Sequence, residues 1–424
     1  MKLPYREMYW QMRRYPSYLW YLFGVFLSGL GDLSAKVGLI WYLATSTHQP
    51  LVHLSILMIG MGAVFPAMLT LGGYWVDRYG YLIVARRAVI AQILLWTGFV
   101  ALWMVFKMSR LTFGGDWVVA ILVGDGALAP LLRPVDSALT QNMIVSDHRA
   151  SANALRGMQY ELTYLLAPLL GGLLAAQHVL LIALGFNILS FIVLEWVFFR
   201  MPTDCDSRTF QEPIKGVDAK SSLHEFAASV LSGARLLWGF KSLAGLVFLG
   251  FWWNMWILGP VEVLFPLLAH RLKGSAVSYG GFLMANSLGF LGGLLFWARK
   301  HVPRPWGWRY AGVLILDGVV YTTLGLVHSV ELAWFLVAAG GFITAPTDIW
   351  GSTLRQELIH PEYQGRVSAI AGLVGFTGAP LGTALVLLAV NTFHWTIPLC
   401  FLVFGCMLTA GAVVISLLPV MRTR

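Results

Sequence analysis

The sequence predicts an all-α polytopic membrane protein: twelve transmembrane helices in two pseudo-repeated six-helix bundles. Three observations carry this. Hydrophobic residues make up 58% of the 424 and charged residues 12%, with a mean hydropathy of +0.71. Soluble domains carry about 25% charged residues, so a water-soluble chain would lack the polar surface to cover itself. Apolar runs of about 20 residues, enough to cross a bilayer, recur along the chain. Short motifs then repeat at a constant offset of half its length. This composition excludes a soluble enzyme, a disordered chain and a disulfide scaffold.

The first six runs cover 17–45, 51–75, 82–106, 117–141, 153–176 and 178–200. Residues 1–18 are polar and basic, and no small-residue cleavage site follows, so an uncleaved first helix is expected. The gap 201–242 is the one long polar stretch. Within it Leu223, Phe226, Val230, Ala234 and Leu237 fall at helical spacing, which predicts an amphipathic helix on the membrane surface. An early start to the seventh span is the alternative. The second six runs cover 243–269, 276–298, 306–328, 331–354, 366–390 and 394–419. The expected domains are therefore an N-terminal bundle at 1–200, a cytoplasmic linker at 201–242 and a C-terminal bundle at 243–424.

Lys and Arg stay on the cytoplasmic side because they are hard to translocate. With the N-terminus inside, 23 of the 29 Lys and Arg fall in cytoplasmic segments and 4 in outer loops. This bias puts both termini in the cytoplasm of a multi-pass cell-membrane protein. It also accounts for the net charge of +9 without a nucleic-acid partner. Cys205, Cys400 and Cys406 form no C-x-x-C pair, and no phosphate-cradling Gly-rich loop is present, so no cofactor or metal is expected.

The two halves repeat. Pro134-Val135-Asp136 recurs as Pro346-Thr347-Asp348, and Ala167-Pro168-Leu169 as Ala379-Pro380-Leu381, both at an offset of 212. Gly72-Gly73 is matched by Gly292-Gly293 at 220. Parallel halves of this kind place a substrate between them near mid-membrane.

The turn after the second span reads Gly73-Tyr74-Trp75-Val76-Asp77-Arg78-Tyr79-Gly80. It resembles the G-x-x-x-D-R-x-G signature of the major facilitator superfamily, and it sits on the cytoplasmic turn that family uses. The family's basic pair is displaced: Tyr81 and Leu82 stand there, with Arg86 and Arg87 a turn later. Leu132-Arg133-Pro134, Ala150–Leu155 and Ala167-Pro168-Leu169-Leu170-Gly171-Gly172 resemble the macrolide and siderophore exporter branch. The last contains a P-x-x-G-G core like the family's antiporter motif, with Ala167 where Gly is usual. The resemblance implies a proton-driven alternating-access transporter whose first, fourth, seventh and tenth helices line a cavity. It makes Gly73, Asp77, Arg78 and Gly80 a gating loop and Pro168, Gly171 and Gly172 an antiporter-like motif. Asp77 is expected to dock near the N-terminus of the eleventh helix, around Gly365–Ser368, whose dipole is positive. Plain helix packing is the competing reading of the Pro168 motif.

A charge at mid-membrane costs at least about 2.5 kcal/mol, so each needs a reason. Asp32, Lys36, Asp125, Arg133, Asp136, Glu161, Glu262, Asp317 and Asp348 lie within spans, seven acids against two bases. Asp32, Lys36, Asp125, Arg133 and Glu262 are the candidate coupling and cavity residues. Asp32, near the middle of the first helix, is the expected proton carrier; Lys36 is four residues on and shares its face, so a structural Asp32–Lys36 ion pair is the competing reading. Asp125 and Asp136 lie on one stripe, with Arg133 a turn from Asp136. Asp136 and Asp348 are repeat-related residues of the inner rim. Glu161 and Asp317 are expected to make polar contacts between helices, and Trp252, Trp253, Trp256 and Trp350 to line apolar space or meet lipid.

The expected function is export of a small amphiphilic molecule by alternating access, coupled to protons, by a monomer in the bilayer. Proton-coupled uptake or transport of a lipid-like substrate is the alternative. Gly29-Leu30-Gly31-Asp32 also matches the G-x-G-D string of intramembrane aspartyl proteases. No Tyr-Asp pair supplies the second acid of that chemistry, so no enzyme is expected. A sensor built on a transporter scaffold is the remaining alternative.

Overall fold

The computed structural model describes residues 12–109, 114–177, 179–201, 241–297, 306–358 and 361–417. The amphipathic helix expected in the linker lies outside them. Twelve long helical segments follow one another, and none of the described residues forms a strand. They are α1 (Pro16–Ser46), α2 (Pro50–Tyr79), α3 (Tyr81–Met108), α4 (Gly115–Leu128 and Leu132–Met143), α5 (Arg149–Ala176) and α6 (Leu180–Phe199). The second set is α7 (Lys241–Trp253 and Gly259–Arg271), α8 (Ala276–Trp297), α9 (Trp306–Leu324), α10 (Val330–Leu358), α11 (Pro361–Asn391) and α12 (Ile397–Ser416).

Ten of the twelve are long and apolar enough to cross a membrane. The other two are α5, which opens on the polar run Arg149–Tyr160, and α9, which has 19 residues and carries Arg309 and Asp317. Local chemistry sets several ends. Pro occupies the first helical position of α1 and α2, where its missing N–H costs nothing. Gly80 separates α2 from α3 at φ 84°, a backbone that side chains with a Cβ rarely adopt. The Thr396 hydroxyl accepts from Leu399 N at the start of α12.

Two helices are broken inside their spans. In α4 a single 3-10 turn, Ala129–Leu131, lies by Pro130 and Pro134, both of which deny the helix a donor. In α7 a π-helical segment, Asn254–Leu258, precedes Pro260. Irregular backbone of this kind marks functional positions in membrane helices.

The chain divides into two compact units. One comprises Met1–His53, Ala63–Lys215 and Ser275–Gly280; the other comprises Leu54–Gly62, Gly216–Gly274 and Gly281–Arg424. Within each, small residues let backbones meet, as expected where hydrophobicity gives helices no preference for one another over lipid. In the first unit a Cβ on Gly31 of α1 would lie 2.9 Å from Asn187 Cα of α6. In the second, Gly405 of α12 lies against Gly318 and Thr322 of α9. The repeated Ala-Pro-Leu motifs make matching contacts: Gly280 meets the Pro168 carbonyl in the first unit, and Gly62 meets the Pro380 ring in the second.

Candidate functional site

The most polar buried cluster lies in the first unit, built by α1, α3 and α4. One turn of α1 puts Asp32 and Lys36 on the same face, and Lys36 Nζ donates to Asp32 Oδ2 at 2.7 Å. The same ammonium lies 2.6 Å from Asp125 Oδ2 on α4. Asp125 Oδ1 accepts from Trp96 Nε1 at 2.9 Å and from Gln92 Nε2 at 3.1 Å, both on α3. Asp125 is 0% exposed, Lys36 15% and Asp32 20%.

The two carboxylates are therefore unequal. A buried ion holds its charge only when its partners fill its lone pairs. Asp125 has an ammonium, an indole and an amide. Asp32 has the shared ammonium and the neighbouring Asp125 carboxyl but no indole or amide donor, and one oxygen of each acid, Asp32 Oδ1 and Asp125 Oδ2, is buried without a well-formed hydrogen bond. One positive charge faces two negative ones, which leaves one negative charge in excess. A proton on Asp32, the member with residual exposure, removes that excess and leaves Lys36 to Asp125. The cluster is thus chemically suited to taking up and releasing one proton. Sequence spacing foresaw the Asp32–Lys36 pair but not the bridge to Asp125. Gln92 and Trp96 were missed; a Gln four residues from a Trp inside an apolar span was the available signal.

In the C-terminal half of α4, Asp136 accepts from the Tyr21 hydroxyl of α1. Asp125 and Asp136 of α4 therefore both face α1, at Lys36 and at Tyr21. A cavity of about 60 Å³ lies beside this contact, lined by Tyr21, Val25, Ser28, Leu132, Val135 and Asp136 among others. It has room for water and is far below the volume of a drug-sized site. Arg133 does not share this contact. It is exposed, with its guanidinium 5.4 Å from the Phe65 ring centroid.

The remaining candidates stand apart from the cluster. Glu262 of α7 is exposed while residues 259–261 and 263–266 around it are buried. Asp348 is exposed and Glu161 half-buried. Asp317 of α9 is fully buried and accepts from Trp253 Nε1 of α7 at 2.7 Å. Of the other tryptophans, Trp252 donates to the Met407 carbonyl, Trp256 packs on Phe404, and Trp350 is buried against Trp297.

Residues 73–79 of the expected gating loop are the last turns of α2, and only Gly80 stands between α2 and α3; Arg78 is exposed and donates to the Tyr74 hydroxyl at 2.7 Å. A Cβ on Gly73 would meet nothing within 4 Å, whereas one on Gly72 would lie 3.1 Å from Leu131 Cα. The side chains of Asp77 and of residues 361–370 lie outside the described ones, and with them the expected docking. On α5, Pro168 lies inside the helix, and the Gly pair that follows serves close packing. A Cβ on Gly171 would lie 2.8 Å from Ser34 Cα of α1, and one on Gly172 2.6 Å from the Ala276 carbonyl oxygen. Ser34 Oγ donates to the Ala167 carbonyl at 3.0 Å.

Comparison with known proteins agrees with this architecture. The enterobactin exporter EntS of Shigella boydii serotype 18 is 24% identical over 387 residues, covering 88% of this chain and 85% of the relative. EntS of Escherichia coli O1:K1 is 25% identical over 390 residues with the same coverage. Among solved structures, a point mutant of the nucleoside transporter NupG superposes with a TM-score of 0.65 at 13% identity, covering 94% of this chain and 98% of that one. A bacterial homologue of the iron transporter ferroportin in the inward-facing state gives 0.62 at 14% identity, covering 95% and 99%. At those identities the structures speak to the fold alone. Residues 21–383, most of the chain, match the family described as Major Facilitator Superfamily, and the protein is a membrane transporter of that superfamily.

Proposed function

We propose that the protein exports a small amphiphilic molecule by alternating access, driven by protons bound at the Asp32–Lys36–Asp125 cluster. The observation that carries this is Lys36 Nζ between two carboxylate oxygens, 2.7 Å from Asp32 and 2.6 Å from Asp125. In the proposed cycle Asp125 stays ionised, held by Lys36, Trp96 and Gln92. Asp32 alternates between a neutral acid and an ion paired with Lys36. Each exchange changes the charge of the cluster by one and so changes which conformation tolerates it.

Export is favoured over uptake by the enterobactin exporters among the relatives and by the Pro168–Gly172 stretch. The nine candidate charges, seven acids and two bases, suit protons and cationic or amphiphilic cargo. Both termini are placed in the cytoplasm by the Lys and Arg bias, and the working form is taken as a monomer. A deletion strain tested against a panel of toxic amphiphiles and for enterobactin release identifies the cargo. Restored efflux of at least one compound with the wild-type gene, and none with Asp32→Asn, is expected. Accumulation of cargo inside cells expressing the wild type would reverse the direction.

A further inference from the structure

The second unit holds a buried acid that the proposed cycle does not use. Asp317, in the middle of α9, is 0% exposed. Its Oδ2 accepts from Trp253 Nε1 at 2.7 Å, and its Oδ1 is buried with no hydrogen-bond partner. Among the described residues no ion pair involves it.

The groups facing it are these. Tyr321, one turn along α9, is buried and is the titratable neighbour. α7 presents Trp253; its one Lys in this stretch, Lys241, is twelve residues earlier. α10 presents Gly340, where a Cβ would sit 3.2 Å from Asp317 Oδ1, with Glu331 and Asp348 more than two turns away on either side. α12 meets the adjoining Gly318 with Gly405 and Thr409; of its cysteines, Cys406 lies 3.8 Å from Thr322 Oγ1 and Cys400 is buried.

Asp125 supplies the comparison. Both acids are fully buried and both accept an indole N–H, but Asp125 also has Lys36 and Gln92. An ionised carboxylate has about four lone-pair sites to satisfy. Asp317 has one donor for them and no cation. Protonating an ordinary carboxyl at neutral pH is unfavourable by about a thousandfold. Burying a carboxylate charge with no cation and a single donor is costly even after relaxation, by enough to offset this. The neutral acid is the form this site accommodates.

We propose that Asp317 is a second proton-binding site of the protein, loaded in this conformation, with Trp253 linking its occupancy to α7. Trp253 is the last residue before the π segment Asn254–Leu258, where α7 can change its register. Ionising Asp317 recruits further donors, and the indole already bound to it is the group through which α7 responds. Occupancy of this site is independent of the coupling role given to Asp32; only the proton's use in transport rests on that reading.

Infrared spectra of the whole protein in lipid bilayers test this, recorded with Asp317→Asn as the difference reference. At neutral pH the wild type should show a protonated-carboxyl band that Asp317→Asn lacks. Trp253→Phe should keep that band at a higher frequency, because the carbonyl loses its hydrogen bond. Raising the pH should remove the band and change indole emission, and the emission change should be missing in Trp253→Phe. Identical spectra for wild type and Asp317→Asn at neutral pH would overturn the proposal. So would a band that no alkaline pH removes, since that proton would be a fixed structural one. Flux of cargo that ignores a pH gradient would sink the coupling at Asp32 without touching either result.

Discussion

Replacing Lys36 with Met keeps most of the side chain's volume and deletes the one cation between two carboxylates. The structure sets the size of the effect. Asp125 is fully buried, and after the change it keeps only Trp96 and Gln92. Removing one partner of a buried ion pair costs about 3–5 kcal/mol. The escape route is protonation, which at pH 7 costs an ordinary carboxyl about 4 kcal/mol, so the loss cannot much exceed that. Asp32 adds little, because it keeps some exposure to water. Lys36→Met should therefore destabilise the protein by about 4 kcal/mol at pH 7. The sign with pH follows from proton counting: the variant's folded state binds a proton that its unfolded state does not. Its stability should therefore rise as pH falls, by about 1.4 kcal/mol per unit. Lys36→Met combined with Asp125→Asn removes both charges and should recover much of the loss, a coupling of about 2 kcal/mol. Unfolding of the four proteins in lipid-detergent mixtures between pH 5 and 8 reads all three numbers. A single variant within about 0.5 kcal/mol of wild type, or additive effects in the cycle, would refute the reasoning.

Three further outcomes follow from the same geometry. Gly171→Ala forces a methyl against the Ser34 backbone and should cost about 1–3 kcal/mol in thermal unfolding, while Gly73→Ala, which meets nothing within 4 Å, should behave as wild type. Gly80→Ala places a Cβ at φ 84° and should lower stability by about 1–2 kcal/mol while leaving the helical circular dichroism unchanged. Tyr21→Phe leaves Asp136 without its hydroxyl donor and should cost about 1–3 kcal/mol, whereas Asp136→Asn, which can still accept that bond, should cost less.

How much of this was legible in the sequence depends on the range of the interaction. The apolar runs place all twelve helices within a few residues, because bilayer crossing is a property of each segment alone. The Asp32–Lys36 pair was legible for a similar reason, since four residues on one helix fix a face. Lys36 to Asp125 was not, because the two are 89 positions apart and only packing of α1 on α4 joins them. Arg133 shows the limit from the other side. It lies three residues from Asp136 on the same helix, yet its guanidinium lies over Phe65 while Asp136 takes the Tyr21 hydroxyl. Such partners are set by neighbouring helices, which one-helix spacing does not describe. The 3-10 turn of α4 had a local signal in Pro130 and Pro134. The π segment of α7 had Pro260 beyond its end, but nothing in its own residues distinguishes it from α-helix.

The central claim is that one proton exchanges at Asp32 for each transport cycle. Purified protein in liposomes, with enterobactin as the first cargo tried and a pH gradient as the only driving force, measures it directly. Wild type should concentrate cargo against its gradient and move protons the opposite way. Asp32→Asn should still exchange cargo down a gradient but show no response to ΔpH. Uphill transport by Asp32→Asn under the same ΔpH would contradict the account and move the coupling to Asp125 or Glu262.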